Sequence, residues 1–199
     1  MKLHFSAKNA WIKSEIDTKL LKGVTMKIYN YSPPKMISST KLIDVMDEQG
    51  HVICRFKRTY KNVLARLLNY WKALDWHTQI DVYSNDEELL YYCKKTTKWF
   101  DRGYYEVVNC KTDEVFRVTY KTWQNITPEF LITSQSNEFT MKKELMDWVR
   151  FYYQGKEVAR WKVKTTEWLK TYLEIEEDSP IEDPAFFICL FQCIFYLGD

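Results

Sequence analysis

From Lys41 onward the chain carries short stretches rich in β-branched and aromatic residues, each ended by a turn signal, the pattern of a meandering antiparallel sheet. The opening hairpin shows it most clearly. Lys41 to Met46 and His51 to Arg58 flank Asp47-Glu48-Gln49-Gly50, whose glycine can supply the positive φ of a tight turn. In the second strand Val52, Cys54 and Phe56 alternate with Ile53, Arg55 and Lys57, so one face is apolar and the other largely basic. Further strands are predicted over 78–83, 88–94, 103–110, 114–122, 130–133, 138–143, 148–154, 157–164 and 168–176. Turns fall at Ser84-Asn85-Asp86, Asp101-Arg102-Gly103, Lys111-Thr112-Asp113, Ser136-Asn137 and Gln154-Gly155-Lys156. With residues 24–29 added the count reaches about twelve, more than a flat open sheet carries without curling or closing. The expected fold is mainly β, a closed antiparallel barrel.

Two segments change period. Asn62 can cap a helix over 62–74, in which Val63, Leu64, Leu67, Leu68 and Trp71 recur at helical spacing. The second, PAFFICLFQCIFYL over 184–197, follows Glu182-Asp183, with Asp183 placed to cap it and Pro184 suited to its first turn. It is apolar on every side, so it must be buried on every side. Fourteen residues span only about 21 Å, short of the roughly 30 Å hydrocarbon core of a bilayer, so no transmembrane span is expected. A barrel wrapped around this helix would bury all its faces and close its own strand edges. The chain is thus read as a single domain over 1–199, with an N-terminal extension (1–23), a helical insertion (62–74) and a central helix (184–197).

Composition narrows the function. The chain is 46% hydrophobic and 17% aromatic, enough for a packed core and against disorder, and its formal charge of +2 lacks the field of a general nucleic-acid binder. Any anion site must be a local patch. The N-terminus has no apolar run of signal-peptide length, so a cytoplasmic location is expected. Cys54, Cys93, Cys110, Cys189 and Cys193 have no paired zinc spacing and are read as reduced thiols, Cys189 and Cys193 as small core residues.

No cofactor, metal or catalytic group is expected. Phosphate-loop glycine patterns are missing from the sequence. His4, His51 and His77 are scattered and read as surface or turn residues. The carboxylates Glu174, Glu176, Glu177, Asp178, Glu182 and Asp183 lack the alternation and central glycine of an EF-hand loop and read as a solvated turn. The positive signal is cationic: Arg55, Lys57, Arg58 and Lys61 at the end of the first hairpin, Lys94, Lys95, Lys98 and Arg102 between later strands, and Arg160, Lys162 and Lys164 alternating along another. In the last row Ala159, Trp161 and Val163 take the inward positions. These clusters are either the solvated outside of a barrel or an anion-binding wall.

The hairpin LIDVMDEQGHVICRF and the ending YLEIEEDSPIEDPAFFICLFQCIFYL, a last strand leading through an acidic turn into an apolar helix, resemble the tubby-like superfamily. That superfamily groups the tubby C-terminal domain, the phospholipid scramblases and the plant LURP-one-related proteins, with small bacterial members. The resemblance implies a barrel of about twelve strands around a central C-terminal helix, with 62–74 as an insertion after the first hairpin. It also implies a non-enzymatic, lipid-facing role, because tubby domains recognise phosphoinositide head groups through barrel-wall cations and scramblases act at bilayers. The resulting expectation is recognition of anionic phospholipid or phosphoinositide-like head groups at the cytoplasmic membrane surface, with Arg55, Lys57, Arg58, Lys61, Arg160, Lys162 and Lys164 as candidate ligands. The alternative is a cytosolic protein-interaction or regulatory domain with no lipid binding.

Overall fold

The computed structural model describes residues 25–33, 39–60, 78–98, 101–122, 127–135, 137–143, 148–164 and 170–197. The extension over 1–23 and the helix expected over 62–74 lie outside them. Among the described residues, alternating apolar positions fold into twelve strands: β1 (Met26–Tyr31), β2 (Ile43–Met46), β3 (Val52–Tyr60), β4 (Thr78–Tyr83), β5 (Leu89–Lys98), β6 (Asp101–Asn109), β7 (Val115–Tyr120), β8 (Glu129–Thr133), β9 (Glu138–Lys143), β10 (Val149–Tyr153), β11 (Lys156–Lys164) and β12 (Lys170–Glu176). They form a closed antiparallel barrel in which each strand from β2 to β12 pairs with its neighbours in sequence. The expected architecture is therefore observed.

Closure is made by β1. It pairs with β12 along its whole length, from Met26 opposite Glu176 to Tyr31 opposite Thr171, and with β2 through Asn30 opposite Met46. The Asn30 amide adds a bond to the Asp47 carbonyl at 3.4 Å. The β2–β3 turn is built as its sequence implies. The Asp47 carboxylate accepts the backbone N–H groups of Gln49 and His51 at 2.9 and 2.8 Å, and Gly50 takes a φ of 86°. His51 is exposed there, 3.2 Å from the Asp47 carboxylate.

The barrel is filled by α1 (Pro184–Leu197), as its composition requires. Asp183 caps it, accepting the Ala185 N–H at 2.9 Å. Phe186, Phe187 and Phe191 are fully buried. Phe186 meets Phe116 with ring centroids 4.6 Å apart, Phe187 packs edge-on against Phe151 at 5.0 Å, and Trp161 of β11 stacks on Phe191 and Phe195. The one polar residue of the helix, Gln192, is buried and donates its amide to the Tyr31 hydroxyl at 2.5 Å, which also receives the Trp161 indole N–H at 2.7 Å. A buried amide needs its partner, so this contact fixes the rotation of α1 against β1 and β11.

Two of the five cysteines differ from the reading as reduced thiols: Cys93 of β5 and Cys193 of α1 are joined in a disulfide, leaving Cys54, Cys110 and Cys189 free. The pairing depends on which strand the helix faces, which no local pattern encodes. Among the described residues no helix is long and apolar enough to cross a membrane.

Candidate functional site

Chain alternation places the cations, and the strand register then decides which of them meet. On β11 the inward positions hold Ala159 and Trp161, both buried, so Arg160, Lys162 and Lys164 share the outer face as expected. Across the neighbouring strands Arg160 lies opposite Arg150 and Glu174, Lys162 opposite Tyr172, and Lys164 opposite Lys170. Rings are interleaved with these charges. The Arg160 guanidinium and Lys162 ammonium lie 4.9 and 5.5 Å from the Trp148 ring centroid, while Lys164 and Lys170 lie 4.3 and 5.4 Å from that of Tyr172. Lys170 was not among the residues expected here. Its place beside Lys164 follows from the offset of the β11–β12 pairing, which sequence spacing does not reveal.

The members of this wall are not equivalent. Arg160 donates from Nε to the Glu174 carboxylate at 2.7 Å and again from its terminal nitrogen, with Glu157 at 3.9 Å, and the side chains of Arg160 and Glu174 are each only 11% exposed. A fork donor satisfied this way has its charge offset within the fold. Arg160 is therefore a structural member that holds β11 to β12. Lys162, Lys164 and Lys170 are half-buried on the same face. An ammonium carries three donors and is attracted both to the face of a ring and to an anion oxygen.

The first cluster is divided, with Arg55 and Lys57 on the outer face of β3 and Arg58 on the opposite one. The Arg55 Nε donates to Asp44 at 2.9 Å. Lys57 faces outward beside Asp81, with its ammonium 4.8 Å from the Tyr83 ring centroid. Arg58 shares the face of Cys54 and Phe56 and is 6% exposed, so it cannot join Arg55 and Lys57 in one outward patch. Lys61 lies outside the described residues. In the middle cluster Lys94 pairs with Glu106 at 3.3 Å and Lys95 lies 5.7 Å from the Tyr105 ring centroid. The side chains of Lys98 and Arg102 are outside those described.

The acidic run is used in joints of the fold. Glu174 holds Arg160, Glu176 and Asp178 both contact Lys156, Glu182 pairs with Lys27 at 3.0 Å, and Asp183 caps α1. Its hydrogen bond with Lys156 holds the Asp178 carboxyl below the usual carboxylate range. Among the described residues no group of three or more His, Cys, Asp or Glu is placed to hold a metal ion. Buried thiols are poor nucleophiles here. Burial, with a smaller contribution from Asp183, pushes Cys54 up to about 12, and burial likewise raises Cys189 well above the ordinary thiol value.

In comparison with known families, a model described as the Tubby C-terminal like domain matches residues 29–197. The chain belongs to that family. The match runs from Tyr29, within β1, to the last residue of α1, so it takes in the second half of the closing strand and the whole central helix. No curated protein and no solved structure matches the chain.

Proposed function

We propose that this tubby-like domain is a non-enzymatic module that recognises anionic phospholipid head groups at the cytoplasmic face of a membrane, through Lys162, Lys164 and Lys170. The observation that carries the reading is the convergence of these lysines, on two paired strands, around Trp148 and Tyr172. Clustered ammonium groups attract phosphate oxygens, and indole and phenol rings favour the head-group region of a bilayer. Tubby-like domains in general bind phosphoinositides, and the family is generally non-enzymatic, which supports the same assignment. In this reading Arg160 braces the wall through Glu174, and the lysines of β11 and β12 carry the contact.

Co-sedimentation with neutral and anionic vesicles at two salt concentrations tests the reading. The protein should pellet with anionic vesicles and not with neutral ones, and pelleting should fall as salt rises, since exposed charges are screened beyond a Debye length of about 8 Å at physiological ionic strength. Equal pelleting across lipids, or none, would overturn it in favour of a cytosolic protein-interaction domain.

A further inference from the structure

Three cysteines are gathered inside the barrel. Cys93 on the inward face of β5 and Cys193 near the end of α1 have Cα atoms 6.0 Å apart, within the span a disulfide needs, and are separated by 100 residues in sequence. Neither has any exposed surface. Cys189 lies one helical turn earlier, equally buried, with its sulfur 3.9 Å from the carbonyl of Ile80, the register partner of Cys93. Burial keeps the Cys189 thiol protonated, so it is a weak attacker of the neighbouring disulfide. The bond therefore joins one particular wall strand to the element that fills the barrel.

We propose that Cys93 and Cys193 form a redox latch on α1: oxidation ties the helix to β5, and reduction leaves it held by packing alone. In the closing step the two thiols give up two protons and two electrons to a disulfide oxidant such as glutathione disulfide. One sulfur–sulfur bond forms in the protein, the oxidant's bond breaks, and two glutathione thiols are released. The reverse step needs a thiolate to reach a sulfur that has no exposed surface, so it proceeds only through opening of the barrel. The latch suppresses that opening and thereby protects itself. The dithiol form is likewise shielded from oxidant while the barrel stays shut, so each state outlasts a change in its surroundings. This device is independent of the lysine wall and stands or falls without it.

The test uses the full chain in two states, equilibrated with glutathione disulfide or kept in dithiothreitol. After denaturation and maleimide blocking, mass spectrometry should find Cys54, Cys110 and Cys189 labelled and Cys93 linked to Cys193 in the oxidised sample, and five labelled cysteines in the reduced one. Hydrogen exchange of the α1 amides should then be slower in the oxidised sample by roughly thirtyfold to a thousandfold, the range typical of a cross-link. In Cys93→Ser the two conditions should give equal exchange. If that variant does not fold, the two wild-type samples still decide. Five labels after oxidation, a link between other cysteines, or equal α1 exchange in the two wild-type states would overturn the latch.

Discussion

Arg160 and Lys162 stand two residues apart on one strand face and do different work. Arg160 shares a nearly covered pocket with Glu174, and removing one member of such a pair strands the other charge in a poorly solvated place. Arg160→Ala should therefore lower stability by about 3 kcal/mol in urea unfolding, whereas Lys162→Ala should change it by less than about 0.5 kcal/mol. Equal effects would mean that the guanidinium–carboxylate pair does not brace the wall. Cys54 makes a prediction about pH. Its folded thiol ionises at about 12 against 9.0 for the free group. Between those values the unfolded chain has lost a proton that the folded chain retains, so stability is fully present below about pH 9 and falls as pH rises toward 12. The fall should approach about 1.4 kcal/mol per pH unit for this group. Melts at pH 8 and pH 10.5 should differ less in Cys54→Ala than in the parent chain, and an unchanged difference would contradict the assignment.

At the scale of elements, α1 is the piece on which the rest depends. Phe187 touches Phe151, Phe186 and Phe191 and has no exposed surface, so Phe187→Ala should cost about 3 to 5 kcal/mol, read from the urea midpoint. A chain ending at Glu182 should be insoluble or melt without cooperativity; a soluble truncation with a sharp transition would show that the helix is an accessory. The helix bounds were legible to the residue because Asp183, Pro184 and the unbroken apolar run each mark the same start and extent. Strand bounds were less so. The sequence pattern places the first strand over residues 24–29, yet it runs Met26–Tyr31, because polar Asn30 masks an inward alternation carried by Tyr29 and Tyr31. The parity that buries Cys54 and Phe56 also turns Arg58 inward, and because Arg58 lies within the stretch His51 to Arg58 its face was already readable from the alternation. The row Arg160, Lys162, Lys164 was legible for the same reason. Lys170 and the Cys93–Cys193 pair were not, since both depend on the offset or facing of distant elements, which periodicity leaves open.

For the whole molecule, near-neutral charge and a filled barrel put any recognition on the outer wall, and the register gathers Lys162, Lys164 and Lys170 on one side of it. Long-range attraction from a net charge of +2 is weak, so the location of the cations should matter more than their number. The direct measurement compares two triple variants in binding to anionic vesicles at fixed salt. One carries Lys162→Gln, Lys164→Gln and Lys170→Gln; the other carries Lys94→Gln, Lys111→Gln and Lys121→Gln, which remove the same charge from elsewhere on the barrel, where each lysine already faces a glutamate. At about 1 kcal/mol per cation near an anionic surface, the first should lose affinity on the order of a hundredfold and the second only a few-fold, with both chains as stable as the parent. Equal losses in the two variants, or full binding in the first, would contradict a lipid site on the β11–β12 wall.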